Sequence, residues 1–262
     1  MPLISDIIDT VEAYAPLSLQ ESYDNCGLQA GDPTLGCTGV LLCVDMSPDI
    51  VAEAVSRGCN LVISHHPIIF RGLKHLTGST LNERTVMAAI KADVALYSCH
   101  TAIDSAPGGV SAELARRLGL TDITVLDQRP DCPGAGLGAV GDLPSPLTPA
   151  ALVALVKETC GSPVARCTAA PADKAIRRVA LCGGSGSSLI DKAIAAGADA
   201  YVTSDTTYHT FVERADDIFI VDIGHFESEQ CTKSLFYRII TEKFPNFAVN
   251  YSETEKNPIV YL

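Results

Sequence analysis

Charged side chains are scarce in this sequence, at 19% of 262 residues, against roughly a quarter in an ordinary globular protein. With 47% of residues apolar, that excludes wholesale disorder and points to a surface partly covered, as by a sister subunit. Basic residues are the scarcer sign: 19 Lys and Arg stand against 31 Asp and Glu, a net charge of −12. No basic run is longer than Arg116-Arg117 or Arg177-Arg178. Such a chain repels phosphate backbones, which disfavours nucleic-acid binding driven by counterion release. No apolar run reaches about 18 residues, so no membrane span is expected. The first residues lack a basic region followed by an apolar stretch, so no secretory leader is expected either. None of the ten cysteines forms C-x-x-C, which excludes a zinc ribbon or a thioredoxin-type motif. Several sit in apolar runs such as Leu41-Leu42-Cys43-Val44 and read as buried, reduced thiols. The expected location is the cytoplasm.

What is present is an alternation of short apolar runs and amphipathic segments, the pattern of an α/β protein. Ser5 is expected to cap a first helix ended by Pro16. Residues 39–44 read as a buried strand, Ser47-Pro48 opens a helix stopped by Gly58, and 60–64 is the next strand. A helix over 82–91, a strand over 94–98 and a helix over 111–118 follow. Residues 129–149, with five prolines, read as a linker or irregular edge. Beyond it come a helix over 150–159, a strand over 178–182, a helix over 187–196 and strands over 200–203 and 218–222. A long helix over 226–243 and terminal strands over 247–251 and 258–262 complete the reading.

The sequence repeats itself. A shift of 139 positions lays Leu42-Cys43 on Leu181-Cys182, Ile50-Val51 on Leu189-Ile190, Gly58 on Gly197 and Leu61-Val62-Ile63 on Ala200-Tyr201-Val202 without gaps. Two pseudo-repeated α/β lobes of helix–sheet–helix layers follow: 1–127 with 222–262, and 128–221. Where the first copy has His65-His66, the second has Ser204-Asp205. Imidazoles carried by only one copy of a shared scaffold belong to a site rather than to the fold.

Ligands of open α/β sheets bind beyond the carboxyl ends of strands. Three expected strand ends carry metal-type side chains: His65-His66, His100 with Asp104, and His225 with Glu229. His225 and Glu229 share a helix face at i, i+4 spacing, while Glu227 between them is expected to be solvated. His100 and His209 are candidates for acid/base work, and His75 reads as surface. Gly183-Gly184-Ser185-Gly186 is expected to link a strand to a helix, where its amides either cradle an anion or pack tightly. It is not a Walker loop, because no Gly-Lys-Ser/Thr follows. No His-x-His pair occurs, which argues against a phosphoesterase built on that pair.

Ser64-His65-His66-Pro67, His100-x-x-x-Asp104 and Gly224-His225-x-x-x-Glu229 together resemble the Ngg-interacting-factor-three-like family. Tyr23-Asp24-Asn25-x-Gly27-Leu28 and the Cys182–Gly186 segment match it too, with Tyr23 where the family usually has Trp. The resemblance implies a hexameric ring with a dinuclear metal centre. His66 and Asp104 would hold one ion, His65 and His225 the other, and Glu229 would bridge them. Longer members carry an extra domain between the lobes, for which this chain has no room. Zn, Fe and Mn all suit such mixed N/O ligation. The resemblance implies a metal-dependent hydrolase of a small nucleotide-like or phosphorylated substrate, in the manner of the GTP cyclohydrolase I type 2 homologs. A non-catalytic, metal-loaded scaffold binding protein or nucleic-acid partners is the alternative.

Overall fold

Four-residue apolar runs set the architecture, because a strand covered on both faces needs no alternation. The structure, a computed structural model, describes residues 1–262. In chain order the elements are α1 (Ile4–Tyr14), β1 (Gly27–Ala30), β2 (Val40–Cys43), α2 (Pro48–Ser56), β3 (Leu61–Ser64), α3 (Leu81–Lys91), β4 (Ala95–Ser98), α4 (Thr101–Ser105), α5 (Val110–Arg117), β5 (Thr121–Gln128) and β6 (Gly136–Leu147). They continue with α6 (Pro149–Cys160), β7 (Arg166–Cys167), β8 (Ile176–Ser185), α7 (Ile190–Ala195), β9 (Ala200–Ser204), α8 (Tyr208–Arg214), β10 (Phe219–Asp222), α9 (His225–Glu229), α10 (Cys231–Lys243) and β11 (Val249–Tyr251). No helix is long and apolar enough to cross a membrane.

The chain divides into two compact units, Met1–Ala106 with Thr232–Lys256, and Pro107–Cys231 with Asn257–Leu262. These bounds differ from divisions after residues 127 and 221. At the first boundary β5 pairs antiparallel with β6, which puts residues 121–128 in the second unit.

The first unit holds a five-stranded sheet in the order β1-β4-β3-β2-β11. β11, β2, β3 and β4 run parallel, and β1 closes one edge antiparallel to β4. Every residue of β2, β3 and β4 is buried. Leu41, Val62 and Leu96 face Ile50, Val51 and Ala54 of α2 and Val86 and Ala89 of α3 in one core. Ser47 caps α2 by accepting from the Ile50 amide (3.3 Å), with Pro48 at the first helical position. Ser5 does not cap α1. Leu3 takes that position, and the Asp6 carboxylate accepts from its amide at 2.7 Å.

The second unit holds a six-stranded sheet, β5-β6-β8-β9-β10-β7. Its parallel centre is β8, β9 and β10, packed on Leu189, Ile190 and Ala193. The repeat is visible in the registers. Val40 pairs with Leu61 and Leu42 with Ile63, as Val179 pairs with Ala200 and Leu181 with Val202, each displaced by the same 139 positions. The segment 129–149 is largely strand rather than linker. Pro144 and Pro146 fall within the register shift between Asp142 and Leu147, where a missing N–H costs no ladder bond. The expected 226–243 helix is two helices separated at Gln230, and residues 258–262 form no strand.

Candidate metal centre

In the first unit the histidine pair continues the ladder past the end of β3. The His65 amide donates to the Cys43 carbonyl (3.2 Å) and that of His66 to Val44 (3.0 Å). Two serine hydroxyls then clamp the turn, since Ser64 Oγ and Ser98 Oγ both donate to the His66 carbonyl, at 2.6 and 3.1 Å. His65 is fully buried, and its Nε2 lies 3.8 Å from Asp104 Oδ1. Asp104 sits in α4, a helix where a loop was expected, and His100 occupies the N-cap position of that helix.

The three rings of this unit form a triangle, with centroids 4.9 Å (His65–His66), 5.1 Å (His65–His100) and 5.2 Å (His66–His100) apart. Their ligating nitrogens lie within 4.8 Å of one another. Imidazole nitrogens this close, with a carboxylate oxygen 3.8 Å from one of them, make a mixed donor set that fits a divalent metal. Each of His66 and His100 is held at Nδ1 by a carboxylate. Asp45 Oδ1 is 2.9 Å from His66, and Asp24 Oδ1 is 3.0 Å from His100. Burial would raise the Asp24 carboxyl, but bonds from His100 and from the Thr101 amide (2.9 Å) and hydroxyl hold it well below the usual carboxylate range. Burial pushes the neighbouring Cys26 thiol up to about 12, so it stays protonated.

In the second unit, β10 ends at Asp222, and Gly224 (φ +99°) turns the chain into α9. His225 is held from both sides, with Nδ1 2.6 Å from Asp205 Oδ2 and Nε2 3.1 Å from Glu229 Oε2. Glu229 is buried against the glycine segment. That segment is the end of strand β8 rather than a loop, with an irregular register between Leu181 and Ser185. The Gly184 amide donates to Ser228 Oγ (2.9 Å) and the Gly186 amide to Thr203 Oγ1 (3.0 Å). A Cβ at Gly184 would stand 2.1 Å from Glu229 Oε1, and one at Gly186 would stand 2.6 Å from the Tyr201 hydroxyl. Gly184 and Gly186 thus pack the site, with both amides turned to side chains of the unit.

His209 is exposed at the start of α8, its ring 5.6 Å from that of Tyr208. Glu227 is buried, not solvated, and accepts from Asn257 Nδ2 at 2.8 Å. The residues that sequence reasoning missed are the aspartates behind the rings. Asp24 lay in a motif already noted. Asp205 was visible as the repeat position of His66. Asp45 carried no signal beyond following a strand.

A mixed α/β protein, with two sheets flanked by helices and imidazole and carboxylate donors gathered beyond parallel strands, is the class that fold and site define. The chain belongs to the Duf34/NIF3 (NGG1p interacting factor 3) family, whose model matches residues 2–258. It is 36% identical over 227 residues to the GTP cyclohydrolase 1 type 2 homolog of Clostridium perfringens, covering 86% of each chain. It is 35% identical over 263 residues to that of Lactococcus lactis, covering 97% of this chain and 98% of the relative. Among solved structures it resembles Staphylococcus aureus protein SA1388, with a TM-score of 0.91 at 26% identity over 100% of this chain and 99% of that one.

Proposed function

We propose that this protein is a metal-dependent hydrolase in which His65, His66, Asp104, His225 and Glu229 would hold two divalent cations, with Glu229 as the ligand common to both. The observation that carries this reading is that each unit gathers an imidazole Nε2 and a carboxylate oxygen beyond its parallel strands, 3.8 Å apart in His65–Asp104 and 3.1 Å in His225–Glu229. Mixed nitrogen and oxygen donors suit Zn, Fe or Mn. A bound pair of such cations supplies Lewis acidity toward a carbonyl or phosphoryl oxygen and makes water acidic enough to react near neutral pH.

The chain's own residues do the rest. The Ser64 and Ser98 hydroxyls fix the His65-His66 turn, and Ser228 and Gly184 fix the helix that carries Glu229. His100, anchored at Nδ1 by Asp24, keeps Nε2 as the atom that gives or takes a proton beside His65 and His66. The substrate class we favour is a small nucleotide-like or phosphorylated molecule, in keeping with the name the curated relatives carry. The working form is a homohexamer in the cytoplasm. No disulfide links the ten cysteines, which agrees with a reducing compartment.

The test is a screen of nucleotides, phosphoesters and cyclic amides with metal-loaded protein. Turnover in the wild type that is lost in His66→Ala supports the proposal. Equal turnover in His66→Ala defeats it.

A further inference from the structure

We infer that Asp45, Asp24 and Asp205 are positioning residues that hold His66, His100 and His225 as Nδ1–H tautomers, so that His66 and His225 turn their Nε2 lone pairs toward the cations and His100 keeps its own for proton transfer. The inference rests on the metal-centre reading above for its purpose, but not for its geometry.

A neutral imidazole carries one N–H and one lone pair, and the partner of one nitrogen decides the state of the other. An ionised carboxylate only accepts, so a nitrogen hydrogen-bonded to it must be the donor; His225 Nε2 also lies 3.1 Å from Glu229 Oε2, but that contact is not aligned as a hydrogen bond. In all three pairs that nitrogen is Nδ1, at 2.9 Å (His66–Asp45), 3.0 Å (His100–Asp24) and 2.6 Å (His225–Asp205). The three aspartates come from unrelated places: after β2, before β1 and after β9. A common arrangement reached from three directions points to a shared requirement. Rings that present Nε2 to a metal and Nδ1–H to a carboxylate meet that requirement, because the outer partner fixes ring orientation and raises ligand basicity.

Two of the aspartates are themselves secured. The Asp45 amide donates to Glu255 Oε1 (2.9 Å), as does that of Val44 (2.6 Å), and Lys233 Nζ holds the other Glu255 oxygen at 2.6 Å. Asp24 is locked by Thr101. Asp205 adopts φ +53°, a left-handed conformation that non-glycine residues seldom take and Asp tolerates better than most. It also occupies the repeat position of His66. The second copy therefore carries, where the first carries a ring, the carboxylate that orients a ring.

The experiment reads the histidine ring nitrogens of 15N-labelled, metal-free protein by NMR at pH 8, then titrates zinc. In the wild type, His66, His100 and His225 should report the proton on Nδ1. Asp205→Ala should shift His225 toward the Nε2–H form and weaken zinc binding about 10–100-fold, with circular dichroism unchanged. Asp45→Asn should do the same to His66. Nε2–H signals in the wild type overturn the inference, and so does unchanged zinc affinity in both variants. If the wild type takes up no zinc, the metal-centre reading fails, while the tautomer spectra still decide this one without any variant.

Discussion

His225 Nδ1 stands 2.6 Å from Asp205 Oδ2, and Asp205 is the residue that the internal repeat lays on His66. One duplicated strand end thus carries an imidazole in its first copy and a supporting carboxylate in its second. The duplication kept the sheet geometry, down to the same strand register, and changed the chemistry at the strand tips.

Gly184 is packed tightly against Glu229 in the second unit. Replacing it by Ala would drive a methyl group to within 2.1 Å of Glu229 Oε1, at a residue whose φ of +65° already disfavours side chains. Gly184→Ala is expected to destabilise the fold by about 1–3 kcal/mol and to weaken metal binding. Thermal melts and zinc titration check both.

Glu53 gives a pH signature remote from the site. Burial would raise its carboxyl, but hydroxyls of Ser252 and Thr254 and the amides of Glu253 and Thr254 bring it down to about 2. A carboxylate whose folded pKa is depressed contributes stability above its unfolded value of about 4.3 and loses it as pH falls through the folded one. Glu53→Gln should therefore cost about 1–3 kcal/mol at pH 7. The difference from wild type should shrink as pH falls from about 4.3 toward 2. Urea melts across that range decide.

Leu96, fully buried in the first unit's core, tests the packing. Leu96→Ala should cost about 2–5 kcal/mol in a urea melt at pH 7. A loss below about 1 kcal/mol would mean that the parallel strands are not packed as described.

Assembly is open to a direct check. Light scattering at micromolar concentration should give a mass near six chains. A monomer would count against the hexamer.

The parallel strands were legible because β2, β3 and β9 are buried on both faces and read as unbroken apolar runs. The five candidate donors follow β3, β4 and β10 and were picked out by residue type and position. Of the edges, β11 was legible within the expected 247–251 strand, and the others were not. β6 hides behind Pro144 and Pro146, which a strand tolerates only where its ladder is already interrupted. β1 and β5 are partly exposed, so hydrophobic runs do not mark them. The break at Gln230 falls inside one continuous amphipathic segment. The orienting aspartates escaped because an acidic residue near a strand end resembles any solvated loop residue until its ring partner is known.

The central claim, that the five named side chains hold two cations, is tested most directly by elemental analysis of wild type and Glu229→Ala purified side by side. The account predicts about two metal equivalents per chain in the wild type, as in other two-metal sites, and most of that lost in the variant. Undiminished metal in Glu229→Ala, or none in the wild type, would contradict it.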